Sequence, residues 1–148
     1  MIGETVTILL VDDDQVDRKA IRRAFQTLKI ANPIVEVADG DEALQRLRGT
    51  DGHEKVAFPC LMLLDLNMPR MGGIELLTVL RSDPELHRMI VFVMTTSAAE
   101  EDMLQAYDHN VAGYVVKQRI GQDFLGAIAM LEAYWKVVQF PSRSLAVA

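Results

Sequence analysis

The chain contains one cysteine, Cys60. A single thiol excludes a disulfide framework and a cysteine-built zinc site, and it suits a reducing compartment such as the cytoplasm. Cationic surplus is also missing: 15 Lys and Arg against 21 Asp and Glu leave a formal net charge of -6. That balance argues against nucleic acid as the main partner, because phosphate binding needs excess positive charge. No apolar run is long enough for a membrane span. The N-terminus "MIGETVTILLVDDD" has no basic region ahead of its short apolar stretch, so neither a membrane partner nor a secretory signal is expected. Internal repeats and low-complexity segments are absent. With 148 residues there is room for one domain, expected over 1–140 with a tail at 141–148, and none for a separate DNA-binding or enzymatic domain.

What is present is a regular alternation. Val6–Val11 is a continuous apolar, β-branched run, the pattern of a strand covered on both faces. Behind it, Val16, Ala20, Ala24, Phe25 and Leu28 recur at helical spacing, with Arg18, Lys19, Arg22 and Arg23 on the other side. Asn32-Pro33 breaks that helix before a short strand over Ile34–Ala38. "DGDEALQRL" begins a second helix with Ala43, Leu44 and Leu47 inward, and Gly40 permits a turn before it. A surface loop runs from Gly49 to Pro59. Cys60–Asp65 is a third strand and Ile74–Arg81 a helix. Met89–Thr96 is a fourth strand, Ala99–His109 a helix, Ala112–Lys117 a fifth strand and Gln122–Val138 a last helix ended by Pro141. Strand and helix alternate five times. This predicts an α/β fold of the flavodoxin-like, doubly wound kind: a five-stranded parallel sheet in the order 2-1-3-4-5, with helices on both faces.

In such a sheet ligands bind beyond the carboxyl ends of the strands, where the strand order reverses. Here that point lies between the first and third strands. Asp12 and Asp13 end the first and Asp65 the third, while Thr95 and Lys117 end the fourth and fifth. Clustered carboxylates cannot all stay ionised without a counter-charge. A hard divalent cation supplies one, and Mg2+ prefers a few carboxylates with water and phosphate oxygens. A lysine and a hydroxyl on the same rim suit an incoming phosphoryl group, with Asp65 as the nucleophile that forms an aspartyl-phosphate. Asp14, one residue beyond the metal pair, reads as a helix N-cap. His53, His87 and His109 are scattered, and the methionines, Met62, Met68 and Met94 among them, read as core filler.

The segments "VDDD", "LLDLNMPRMGG", "VMTTSA" and "GYVVK" resemble the receiver domain of two-component response regulators, over about Val6 to Val138. The resemblance implies that Asp12 and Asp13 are the acidic metal pair and Asp65 the phosphoacceptor. It implies that Asn67 ligates Mg2+ through its backbone carbonyl. Thr95 and Lys117 then meet the phosphoryl group, and Tyr114 is the aromatic switch that follows Thr95, with simple packing as its alternative. Asn67 and Ser97 fall where the family tunes autodephosphorylation. The family usually has proline after the lysine, often with a cis bond. Here the pair is Lys117-Gln118, and a cis non-proline bond costs about 3–4 kcal/mol more than trans, which leaves the placement of Lys117 open.

That pair, "TTS", the long Gly49–Pro59 loop and the ending "YWKVVQFPSRS" are similar to small regulators partnered with bacterial phytochrome histidine kinases. A sensor histidine kinase is therefore the expected partner, and the basic side of the first helix either contacts it or is merely solvated. Phe124, Ala127, Ile128, Leu131 and Val138 form an inner stripe on the last helix. Leu125, Met130, Tyr134, Val137 and Phe140 add apolar bulk elsewhere, which points to a homodimer through this helix and the tail, against a tail folded back on its own domain. Two rivals remain. One is a receiver-like binding module that works without phosphorylation. The other is a Mg2+-dependent phosphatase of the haloacid dehalogenase type, which wants a second acid two residues after the nucleophile, where Asn67 stands.

Overall fold

A computed structural model describes residues 5–121 and 123–141. The three central strands, β1 (Thr7–Val11), β3 (Cys60–Leu64) and β4 (Ile90–Thr95), are apolar and almost wholly buried. The shorter β2 (Ile34–Val37) and β5 (Gly113–Val116) are half-buried at the edges. All pair in parallel in the order β2-β1-β3-β4-β5, as the alternation predicts. Between them run α1 (Gln15–Thr27), α2 (Gly40–Arg48), α3 (Gly73–Ser82), α4 (Glu100–Asp108) and α5 (Leu125–Val137).

Alternate side chains of each strand point to opposite faces of the sheet. Ile8, Leu10, Leu61, Leu63 and Met94 join Ile21 and Phe25 of α1 and Ile128, Leu131 and Trp135 of α5 in one core. The rings of Phe25 and Trp135 stack with centroids 5.9 Å apart. Leu9, Val11, Met62, Leu64 and Val93 join Leu44 and Leu47 of α2, Leu77 and Leu80 of α3 and Ala106 of α4 in the other.

Register builds the rim. Val11 pairs with Leu64, and Thr95 with Val116. The residues that follow these strands, Asp12 and Asp65, therefore leave the sheet side by side, and Lys117 leaves it beside the end of β4.

Several expectations are corrected. Val16 is 74 % exposed; it lies in the first turn of α1, and Ile21 takes the inward position. Arg18 and Arg22 are not merely solvated: both pair with Glu36 on β2. Gly40 permits no special turn; it is the first residue of α2, and a side chain there would meet Met71 Cγ at 2.6 Å. The Gly49–Pro59 loop buries Val56. The last helix starts at Leu125 because Phe124 adopts left-handed backbone at φ 60°. Trp135 is buried in its inner stripe, whereas Val138 is exposed. Of the outer apolar residues, Met130 and Val137 stay exposed, while Leu125, Tyr134 and Phe140 pack on their own domain. Arg81 is a half-buried staple missed in the sequence. Its guanidinium donates to the carbonyls of His109 (2.6 Å), His87 (2.7 Å), Met89 (2.8 Å) and Asn110 (3.1 Å), tying α3 to the ends of two neighbouring connections.

Candidate metal and phosphoacceptor centre

Asp12 is 2 % exposed. Its Oδ1 accepts the Asp14 N–H at 2.9 Å and its Oδ2 accepts from Lys117 Nζ at 2.7 Å. Asp65, also buried, accepts the Asn67 N–H on Oδ1 at 3.3 Å, and its Oδ2 lies 3.6 Å from Lys117 Nζ. Asp13 is exposed at the mouth. One carboxylate oxygen from each of Asp12, Asp13 and Asp65 lies within 4.8 Å of the others. Asp14 caps α1 as expected, accepting from the N–H groups of Val16 and Asp17.

Lys117 opens a short 3-10 turn over Lys117–Arg119. Phe58–Pro59 is the one cis bond among the described residues, so Lys117–Gln118 is trans. The lysine nonetheless reaches the acids. It also meets a carboxylate that sequence reasoning missed: Asp17 Oδ2 accepts from Nζ at 2.7 Å. The missed signal is faint, an acid in the first turn of α1 whose partner lies 100 residues downstream.

The electrostatics follow from burial. Desolvation pushes the Asp12 carboxyl up to about 6, against the hydrogen bonds from Lys117 and Asp14 that stabilise its ionised form. Burial would lower the Lys117 ammonium, but its bonds to Asp12 and Asp17 outweigh this and hold it above its ordinary value. The pair is thus ionised at neutral pH. One ammonium faces three carboxylates, Asp12, Asp17 and Asp65, with Asp13 close by, and the excess of negative charge, carried on hard oxygen donors, fits Mg2+ or Mn2+. Asp12, Asp13 and Asp65 are the residues that can hold such an ion.

Thr95 is fully buried at the end of β4, and its Oγ1 accepts the Ser97 N–H at 3.4 Å. The Ser97 hydroxyl donates to Asp102 Oδ2 at 2.5 Å and accepts the Ala99 N–H at 3.3 Å, so it ties the loop after β4 to the first turn of α4. Tyr114 is half-buried and donates its hydroxyl to the Ser97 carbonyl at 2.9 Å. Asp12, Asp13, Asp65 and Lys117 therefore meet at one point. Thr95, Ser97 and Tyr114 form an adjoining group joined through the 95–97 backbone. A further clasp was not foreseen: buried Asp39, the N-cap of α2, pairs with Arg70 in the loop that follows Asp65, and the Gly40 N–H donates to the Met71 carbonyl at 3.1 Å. Together they tether the Asn67-bearing loop to α2.

Comparison with known proteins identifies the family. Residues 8–129 match the response regulator receiver domain. The response regulator Rcp1 of Synechocystis sp. is 33 % identical over 128 residues, 86 % of this chain and 87 % of that protein. The Mn2+-bound form of Rcp1 superposes with a TM-score of 0.78 at 30 % identity, covering 92 % of this chain and 99 % of that one. The phosphorylated cyanobacterial phytochrome response regulator RcpA gives 0.82 at 34 % identity, with coverage of 92 % and 98 %. The bacteriophytochrome response regulator RtBRR gives 0.70 at 34 %, with coverage of 94 % and 86 %. The chain belongs to the response regulator receiver domain family of two-component systems.

Proposed function

We propose that this chain takes a phosphoryl group onto Asp65 from the phosphohistidine of a sensor histidine kinase. What carries the reading is one juxtaposition: the buried Asp65 carboxylate stands with Asp12 and Asp13 oxygens within 4.8 Å and Lys117 Nζ at 3.6 Å. Asp12, Asp13, Asp65 and the Asn67 carbonyl would hold Mg2+, which would supply positive charge for the transferring phosphoryl oxygens. An Asp65 oxygen forms the O–P bond in line as the N–P bond to the kinase imidazole breaks, and the electron pair stays on that nitrogen, which takes a proton. Lys117 and the Thr95 hydroxyl receive the new oxygens. The added charge of about -2 draws Thr95 inward, and Tyr114 follows, exchanging its bond to Ser97. Asn67 and Ser97 set how fast water removes the phosphoryl group. The protein signals by contact from the cytoplasm. It is not an enzyme acting on other molecules, with the receiver over 1–140 and the tail over 141–148.

The likeness to RcpA, RtBRR and Rcp1 supports a bacteriophytochrome as the kinase. Exposed Met130 and Val137 support a homodimer through α5 and the tail. The tail beyond Pro141 lies outside the described residues, and a monomeric mass in light scattering contradicts the dimer. The direct test is incubation with acetyl phosphate and Mg2+. A hydroxylamine-labile phosphate is expected in the natural chain and absent in Asp65→Asn. No labelling, with kinase binding unchanged by Asp65→Asn, favours a module independent of phosphorylation. Sustained turnover of unrelated phosphoesters favours a phosphatase.

A further inference from the structure

Asp17 belongs neither to the acid group that fits a cation nor to the transfer proposed above, yet it makes one of the two shortest contacts to Lys117. Its Oδ2 stands 2.7 Å from Nζ, as does Asp12 Oδ2, while Asp65 Oδ2 stands at 3.6 Å. An ammonium has three protons to donate, and two are already committed. The lysine side chain is 7 % exposed, so water competes little for them.

The position of Asp17 in the first turn of α1 has a plainer explanation, since acids are favoured at helix N-termini. That need is met elsewhere: Asp14 takes the Val16 and Asp17 N–H groups. The Asp17 carboxylate is instead turned to an ammonium that arrives from the far edge of the sheet.

The consequence concerns competition. Without Asp17, both acids left to Lys117, Asp12 and Asp65, belong to the group that fits the cation. Every bond the ammonium made would then be taken from the ion. Asp17 gives Lys117 a partner outside that group. We infer that Asp17 is a positioning residue: it keeps Lys117 Nζ beside Asp65 while drawing one of the ammonium's bonds away from the carboxylates that fit a divalent cation. The catalytic consequence rests on the proposed phosphoacceptor function; the placement of the lysine does not.

The test uses the full chain with 15N-labelled lysine, free of metal, and the variants Asp17→Asn, Lys117→Met and the double variant. The Lys117 ammonium, assigned by its loss in Lys117→Met, is expected as an exchange-protected NMR signal in the natural chain and as a shifted or vanished one in Asp17→Asn. Titration with Mn2+, read by the electron paramagnetic resonance of the free ion, is expected to show affinity roughly threefold to tenfold weaker in Asp17→Asn. In the Lys117→Met background the same change should alter affinity less than about twofold, since Asp17 acts through the lysine. An unprotected Lys117 in the natural chain overturns the inference. So does a signal unmoved by Asp17→Asn, or an equal loss of affinity in both backgrounds, the mark of a charge acting through space. Should the ammonium behave as expected while acetyl phosphate labels nothing, the proposed function fails and the positioning role stands.

Discussion

Asp12 is held in a place that disfavours its own charge: burial behind β1 pushes its carboxyl up to about 6. The sign of the effect on stability follows. Between about pH 4 and 6 the folded chain binds this proton and the unfolded chain does not, so ionisation of Asp12 lowers stability as pH rises through that window. At most about 3 kcal/mol is involved. Denaturant unfolding of the metal-free protein should show this decline, and Asp12→Asn should flatten it. A slope unchanged in Asp12→Asn contradicts the assignment. At this scale the sequence was legible where a residue terminates a strand, because strand ends are ordered by the winding. Asp12, Asp13, Asp65 and Lys117 are of that kind. Asp17, Arg81 and the Asp39–Arg70 pair are not. Their partners lie 100, 6 to 29 and 31 residues away in the chain, and only the folded backbone selects them.

At the scale of elements, helix positions were legible through apolar spacing, and boundaries less so. Val16 fits the α1 stripe by period, yet it falls in the capped first turn and is exposed. Gly73 shows how an element is set against the site. A Cβ on it would lie 2.7 Å from both the Asp65 carbonyl oxygen and Leu66 Cα, so α3 can start this close to the end of β3 only without a side chain. Those neighbours are backbone and cannot rotate away. Gly73→Ala is expected to cost about 1–3 kcal/mol through overpacking, read as a lower urea midpoint, and to weaken Mn2+ binding by moving the Asn67-bearing loop. Unchanged stability and affinity would show that α3 shifts freely, contrary to this packing.

For the whole molecule, the alternation of buried strands with amphipathic helices was enough to predict sheet order and the rim on which the acids gather. Handedness and parallel pairing leave few other windings. The outward behaviour of α5 was harder to read, because apolar residues on a second face serve two ends. Tyr134 packs edge-on against Phe92 with centroids 4.9 Å apart and Phe140 packs against Tyr134, while Val137 is left 83 % exposed; periodicity cannot separate these fates. No described helix is long and apolar enough to cross a membrane. The central claim is that strand ends far apart in sequence build one cation site around the phosphoacceptor. Anomalous diffraction from crystals grown with Mn2+ tests it most directly. The account predicts one strong peak among Asp12, Asp13, Asp65 and the Asn67 carbonyl, lost in Asp13→Ala; a peak elsewhere, or none at saturating Mn2+, contradicts it.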